Sequence, residues 1–472
     1  MNDSTPSSFV TFFGAAKEVT GSCHRVSHRD VNLLLDCGMQ QGDRKHDFDP
    51  DGWFSFDPKA IDAVILSHAH LDHSGQLPRL VSQGFSGPIY CTKGSLGLLK
   101  ILLSDALKIY QIDIEHENKR RVRRDQELLV PDYDEQDVAK VISLCRTVAY
   151  NESFRVADSF NVTFSNAGHI LGSAIVHIVF LHYGDKSLVY SGDLGNAETA
   201  LMPDPDPIPK ADWVIMEGTY GDRNHRDNIA TLDELREIIR AASADNGNIV
   251  IPAFAIGRTQ ELIFSFGKLY KEGLLQGWDI FLDSPMAQAV TEFYDASEDQ
   301  FDPIDLQVLK KFKNGGLIEF LPNLIMVENV QESIAINDIK HRAIIIAGSG
   351  MCTGGRIRRH FEHRLSVAKN HIVFVGYQAN GTLGRILVNG IKQVKLFGHQ
   401  IKVKANIHTI GGLSAHAGQD ELVAWTESSA KSTQFFLVHG EVEALNALQS
   451  RLENELNFDV SIPSKEQTFY LE

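Results

Sequence analysis

The sequence predicts an α/β protein of two or more domains. Three observations carry this: its length, an N-terminal part whose strands end in Gly- or His-bearing loops, and a central part of strand–helix alternation. A chain of 472 residues exceeds what one hydrophobic core ordinarily organises. Hydrophobic residues at 43% and charged residues at 22% supply a large core and leave no broadly disordered tract.

In the N-terminal part, VNLLLDCG (31–38), AVILSHAH (63–70), NVTFSNAGHI (161–170), SAIVHIVF (173–180) and SLVYSGDLG (187–195) read as strands running into loops. Helical patterns fall between some of them, over 94–110 and 134–148. The proline cluster MPDPDPIP (202–209) suits a boundary. From about 212 to 390, WVIMEG, NIVIPAFAIG, WDIFLDSP, AIIIAGSG and HIVFVGYQ each end in small or turn residues, and several precede helix-like stretches. Near-continuous apolar strands of this kind predict a parallel sheet covered on both faces. The last 80 residues return to strands in KVKANIHTI and FFLVHG, with helix-like segments around 418–428 and 441–455.

Bulk properties narrow the setting. No apolar run approaches the roughly 18 residues that span a bilayer, so no membrane partner is expected. The start, MNDSTPSSFV, lacks the pattern of a secretory signal. Five scattered cysteines, Cys23, Cys37, Cys91, Cys145 and Cys352, never form a CxxC pair. That argues for a reducing compartment, the cytoplasm, and against a disulfide framework or a thiolate zinc site. The net charge of −16 opposes binding of polyanions over the surface as a whole, so a nucleic-acid substrate would need a local basic patch or bound cations.

The strongest local signal is SHAHLDHSG (67–75), which holds His68, His70, Asp72 and His73 directly after an apolar strand. Imidazole and carboxylate suit zinc where thiolates are absent, and four donors in six residues can serve two neighbouring ions. One such motif cannot fill two sites. His169 in AGHILGS and Asp193 in YSGDLG, each at the end of an apolar strand, are further candidates, and Asp36 in LLLDCG lies near them in the pattern.

Taken in order, Asp36, His68–His73, His169 and Asp193 resemble the successive motifs of the metallo-β-lactamase superfamily. The resemblance implies an αββα sandwich with a di-metal centre at one edge of its two sheets. It implies that His68, His70 and His169 hold one zinc ion, that Asp72 and His73 hold the second, and that Asp193 bridges the two. Asp36 would orient a ligand or the site backbone.

The rest of the chain resembles the β-CASP group of nucleases within that superfamily. MEGTYGDR (216–223) is similar to its motif A, with Glu217 as the acid; HTIGGLSAHAG (408–418) to motif B, with His416; and FFLVHGE (435–441) to motif C, with His439. AFAIGRTQEL, DSPMA, GSGMCTGGR and GYQANGTLGR read in the same way. The implied fold is α/β: a metallo-β-lactamase sandwich with an inserted parallel-sheet α/β β-CASP domain. The expected boundaries are 1–208 for the first part of the sandwich, 209–390 for the β-CASP domain and 391–472 for the C-terminal part with the RNA-specificity motifs. One departure is Gly218, where the group usually has Ser; a hydroxyl hydrogen bond to the acid is expected to be lost.

The resemblance implies a function as well. His439, a ligand of the second zinc in RNA-processing relatives where DNA-processing ones tend to have Val, favours an RNA substrate. The implied chemistry is attack on phosphorus by a hydroxide bridging two zinc ions, with Asp72 and Asp193 in the metal shell. His416 would stabilise or protonate the leaving 3′-oxygen, and Glu217 would hold it. Endonucleolytic action leaving 3′-hydroxyl and 5′-phosphate ends is expected, with 5′-to-3′ exonucleolytic action as the alternative. A DNA nuclease, a small-molecule hydrolase and an RNA-binding scaffold are the competing classes. Target choice is left to the cleft, a homodimer or partner proteins. For substrate contact, small residues before a helix-like run single out Ser349, Thr353, Gly354 and Arg356. The densest basic run, NKRRVRR (118–124), is a second candidate.

Overall fold

A computed structural model describes residues 8–40, 53–197, 199–225, 228–311, 316–376, 378 and 381–472. Residues 1–7 of the N-terminal stretch, and Tyr377, Ala379 and Asn380 of GYQANGTLGR, lie outside the described residues. The chain forms two compact units. One comprises residues 1–195, 205–224 and 416–472; the other comprises 196–204 and 225–415.

The first unit is built on two seven-stranded sheets. One has the order Thr468–Tyr470, Phe9–Gly14, Cys23–His28, Val31–Leu35, Ala63–Ile65, Ile89–Cys91, Cys145–Thr147. The other runs Asp459–Ser461, Gln434–Val438, Trp213–Glu217, Ser187–Tyr190, Ala174–Phe180, Phe160–Asn166, Ser153–Val156. Alternate residues of both, among them Val10, Phe12, Leu33 and Leu35 against Val162, Phe164, Val176 and Ile178, close a single apolar layer between the sheets. Period-two alternation puts these side chains inward. Burying each large one stabilises by about 1.5–3 kcal/mol.

The outer face of the second sheet presents Val189, Val214, Met216, Phe435 and Leu437 to Leu422 and Val423 of helix Gln419–Thr426 and to Leu445, Leu448 and Leu452 of helix Val442–Leu456. The three leucines recur at helical spacing and make one stripe. Helix Lys93–Val122 packs on helix Glu135–Leu144 and on the edge strand Cys145–Thr147. The result is the αββα sandwich.

The second unit has a six-stranded sheet in the order Leu324–Met326, Asp279–Asp283, Ala343–Ala347, Ile249–Pro252, His371–Phe374, Asn406–Thr409. Every pairing in it is parallel. Its central strands are apolar throughout because helices cover them, as with Ile357, Phe361 and Leu365 against Ile345 and Phe374. A separate antiparallel hairpin, Gln393–Leu396 with His399–Lys402, sends Val394, Leu396 and Ile401 into the same core.

Two strands depart from the expected divisions. Trp213–Glu217, read as the first strand of the inserted region, pairs in parallel with Ser187–Tyr190 and Gln434–Val438 in the sandwich. KVKANIHTI, read as one strand of the C-terminal part, splits into the second strand of the hairpin and Asn406–Thr409, which completes the parallel sheet beside His371–Phe374. Trp213–Glu217 is buried along its whole length, and such a strand carries no mark of which sheet receives it; Asn406–Thr409 is a half-exposed strand at the edge of the parallel sheet. Among the described residues no helix is long and apolar enough to cross a membrane.

Candidate metal centre

The HxHxDH motif spans the end of strand Ala63–Ile65 and the start of the short helix Leu71–Ser74, so His68 and His70 sit in the turn and Asp72 and His73 in the first helical turn. The neighbouring loop straps its backbone in place: Ser22 N–H donates to Asp72 O, Cys37 N–H to His73 O and Met39 N–H to Leu71 O, each at 2.8 Å. The loop can approach this closely only at Gly38, where a Cβ would fall 1.6 Å from the Asp72 carbonyl oxygen.

Donor atoms from distant segments converge on this turn. His68, His70, His169 and Asp193 each offer one within 4.8 Å of the others, as do Asp72, His73 and His439, and also Asp193, Glu217 and His439. Imidazole nitrogens face one another, His68 Nε2 to His70 Nδ1 at 3.1 Å, His169 Nε2 to His70 Nδ1 at 3.2 Å and His73 Nε2 to His439 Nε2 at 3.2 Å. Such a pair can share only one proton, which leaves lone pairs directed at the same space. Asp193 is 2% exposed and its Oδ1 has no hydrogen-bond partner, an orphan that a cation would satisfy. The donor set therefore fits bound metal, and its nitrogen and oxygen chemistry fits zinc.

Other groups set the ligand tautomers. Asp36 is fully buried at a positive φ of 59°. It accepts from Ser67 N–H, the Ser67 and Tyr190 hydroxyls and His73 Nδ1, all at 2.7 Å. With Nδ1 of His73 donating to Asp36, Nε2 keeps its lone pair for metal. Thr219 Oγ1 lies 2.6 Å from Glu217 Oε2 and 2.9 Å from His439 Nδ1. Its hydroxyl donates to the carboxylate and accepts from the ring, which likewise frees His439 Nε2. The hydroxyl expected to be lost at Gly218 is thus supplied one residue later. Gly218 itself has little room, since a Cβ there would meet Leu445 Cδ2 at 2.6 Å.

His416 stands beside these groups. Its Nδ1 is 3.1 Å from Glu217 Oε2 and 4.0 Å from Asp193 Oδ2. Burial pulls the imidazole pKa down, but the charges of Glu217 and Asp193 outweigh it and the value is pushed up to about 9. Burial, reinforced by the His68 charge, brings His70 down to about 3, and His169 is lowered by burial and by His416. The last two are neutral, the form that coordinates metal.

Tyr190, Ser67 and Thr219 carry no motif of their own in the sequence; only their places beside SGD, HAH and the motif A acid point to them. The substrate candidates lie in the second unit. Ser349, Thr353 and Gly354 gather, with Ser349 Oγ 3.4 Å from Thr353 Oγ1 and accepting from Gly354 N–H at 3.3 Å. Arg356 turns away to Asp283, 2.5 Å from Nη1 to Oδ1, and Ile357 N–H of the following helix donates to Gly348 O at 3.0 Å. Several of the donors expected to face a phosphate are therefore already partnered. The run 118–124 ends helix Lys93–Val122, where cations suit the helix dipole. There Lys119 pairs with Glu115 at 2.6 Å and Arg120 with Glu117 at 3.2 Å.

Three family profiles match the chain: the metallo-β-lactamase superfamily over residues 16–244, the β-CASP domain over 259–387 and the Zn-dependent metallo-hydrolase RNA specificity domain over 400–463. A ribonuclease of Thermus thermophilus is 40% identical over 438 residues, covering 92% of this chain and 94% of its own length. A transcription termination factor of Methanocaldococcus jannaschii is 32% identical, covering 92% of this chain and 67% of its own length. A counterpart in Methanosarcina mazei is 30% identical, covering 95% and 69%. The fold also matches a crystal structure of a protein of unknown function from Enterococcus faecalis, with TM-score 0.54, 14% identity and coverage of 98% of this chain and all of that one. The chain therefore belongs to the β-CASP branch of the metallo-β-lactamase superfamily and is a metal-dependent hydrolase of the nuclease class.

Proposed function

We propose that this protein is a two-zinc ribonuclease that cuts RNA internally and leaves 3′-hydroxyl and 5′-phosphate ends. The observation that carries the reading is the pair of donor sets, His68–His70–His169 and Asp72–His73–His439, with Asp193 within reach of both. Metal held there supplies a water activated near neutral pH and positive charge for non-bridging phosphate oxygens. The ribonuclease relative and the RNA-specificity profile support RNA as the substrate, and His439 in the second donor set supports RNA over DNA.

The protein's own groups perform the remaining work. His416 donates its Nδ1 proton to Glu217, whose charge favours the imidazolium, and its Nε2 is the atom that serves the leaving 3′-oxygen. Glu217 is itself fixed by Leu194 N–H at 2.6 Å and by Thr219. Asp36 holds the His73 ring and the backbone before His68. In the second unit the hydroxyls of Ser349 and Thr353 are the groups offered to substrate phosphate, since Gly354 N–H is taken up by Ser349 and Arg356 by Asp283. The free thiols of Cys23, Cys37, Cys91, Cys145 and Cys352 support action in the cytoplasm.

The test is incubation of zinc-loaded protein with RNA labelled at either end, beside a matching DNA strand and an Asp72→Ala, His73→Ala control. Internal RNA cuts that vanish in the control are expected. Mononucleotides released from the 5′ end alone would replace endonuclease with exonuclease. Intact RNA with metal bound would sink the reading.

A further inference from the structure

The charges of this chain are segregated. Residues 339–415, all within the second unit, hold twelve Lys and Arg and one carboxylate, Glu362, in a protein of net charge −16. That carboxylate is paired with Arg359 at 3.2 Å. In the run 118–124, by contrast, Lys119, Arg120 and Arg121 meet Glu115 and Glu117 on the same helix.

Within this acid-poor region the hairpin Gln393–Leu396/His399–Lys402 gathers exposed charge. Its inward residues, Val394, Leu396 and Ile401, are buried, while Lys392, Lys395, Lys402 and Lys404 are exposed. Among the described residues none of these four lysines forms an ion pair. A hairpin protected against edge pairing is served by either sign of charge; four cations and no anion point to a ligand of opposite sign.

The turn adds a second, independent observation. It is a two-residue connection, Phe397 at φ 48° and Gly398 at φ 89°. Such turns favour Asn or Gly at the first position, and a bulky side chain there is strained. Phe397 is nevertheless 41% exposed, so burial does not offset the strain. Its ring is met on one face by the Arg359 guanidinium, 3.5 Å from its centroid, with Arg358 at 5.4 Å. Arg358 Nη1 in turn donates to Thr353 O at 3.3 Å. A continuous track therefore leads from the Thr353 turn through Arg358 and Arg359 to Phe397 and the lysines.

We propose that this hairpin is a sequence-tolerant binding surface for single-stranded RNA: the lysines take successive phosphates, and Phe397, backed by Arg359, stacks a base. Cations that follow a backbone beside an aromatic platform are the recurring solution for single strands. The inference deepens the ribonuclease reading, and rests on it for the identity of the strand.

The experiment uses the zinc-loaded full chain and a labelled single-stranded RNA with a cleavage-resistant phosphorothioate backbone. Binding is measured over a range of salt for the wild type and for the combined Lys392→Gln, Lys395→Gln, Lys402→Gln, Lys404→Gln variant, with unmodified RNA cleavage followed in parallel. The variant is expected to bind about tenfold or more weakly, with the slope of log affinity against log salt smaller by about 0.7 for each phosphate that is no longer neutralised. Phe397→Ala is expected to weaken binding about fivefold or more at an unchanged salt slope. A Phe397→Trp reporter is expected to lose fluorescence when RNA is added, a signal that a merely structural residue does not give. Equal affinity and slope in wild type and lysine variant, with the wild type cutting RNA, overturns the hairpin surface alone. A lowered slope in the variant without any cleavage by the wild type removes the nuclease reading and keeps the surface. Displacement of RNA by poly-glutamate at equal charge concentration reassigns the hairpin to an acidic protein and overturns the RNA assignment.

Discussion

Thr219 and His439, 220 positions apart in sequence, are joined by a hydrogen bond of 2.9 Å between Oγ1 and Nδ1. The same hydroxyl reaches Glu217, so one threonine couples a metal-facing ring to the carboxylate that steadies His416. Thr219→Val keeps the shape and removes both bonds. Loss of a partner behind a ligand costs metal affinity or activity about 10–100-fold. A chelator-competition titration measures the affinity; an unchanged metal dissociation constant together with unchanged cleavage would remove Thr219 from the site.

Asp36 and Tyr190 should separate by magnitude. Asp36→Asn leaves a buried acceptor too few for four donors and unpairs His73, for an expected loss of about 3 kcal/mol or more. Tyr190→Phe removes one donor and should cost about 0.5–1.5 kcal/mol. Urea unfolding of the metal-free proteins gives both values. A Tyr190→Phe loss as large as that of Asp36→Asn would contradict the central place of the carboxylate.

In the second unit, His360 donates to Asp283 at 2.6 Å and is 1% exposed. Burial pulls its imidazole below the ordinary 6.5, even against the hydrogen bond to Asp283. The unfolded chain therefore takes up this proton first. The stability that neutral His360 contributes is complete above pH 6.5 and is lost as pH falls from there to its lower folded value. His360→Gln retains a donor for Asp283 and should flatten this stretch of the stability profile, by at most about 1.4 kcal/mol per pH unit. Unfolding midpoints of zinc-loaded protein at several pH values decide it; parallel profiles for the two proteins would refute the assignment.

Metal should stabilise the sandwich through mass action. At a free concentration a hundred times the dissociation constant the gain is about 2.7 kcal/mol per site. The melting temperature is expected to fall on chelation, recover with zinc, and recover only part of the way for His68→Ala with His169→Ala, which leaves the Asp72–His73–His439 set in place.

The legibility of this site follows chain distance. His68, His70, Asp72 and His73 could be read at once because a single turn carries them, and a turn is written in adjacent letters. Asp36, His169, Asp193, Glu217, His416 and His439 became legible through their order in a family pattern; the geometry then brings all of them together in one unit. Tyr190 and Thr219 were not legible, because their bonds cross between strands and leave no periodic trace. The strand Trp213–Glu217 went astray for a related reason: strand–helix alternation reports layering but not which neighbour a strand takes. Charge is legible unevenly. A seven-residue basic run is conspicuous, whereas the near absence of carboxylates over 339–415 shows only when the missing residues are counted.

The sandwich is written in pieces. Strand Phe9–Gly14 pairs with Thr468–Tyr470, and Trp213–Glu217 with Gln434–Val438. The last donor, His439, follows the first by some 370 positions of peptide synthesis. Until the ribosome has passed these positions, the early sheets lack their closing strands and the second donor set lacks a member. Pairings that distant form late. An enzyme that cuts RNA would thus stay inert beside the message that encodes it until His439 and the strands around it have emerged.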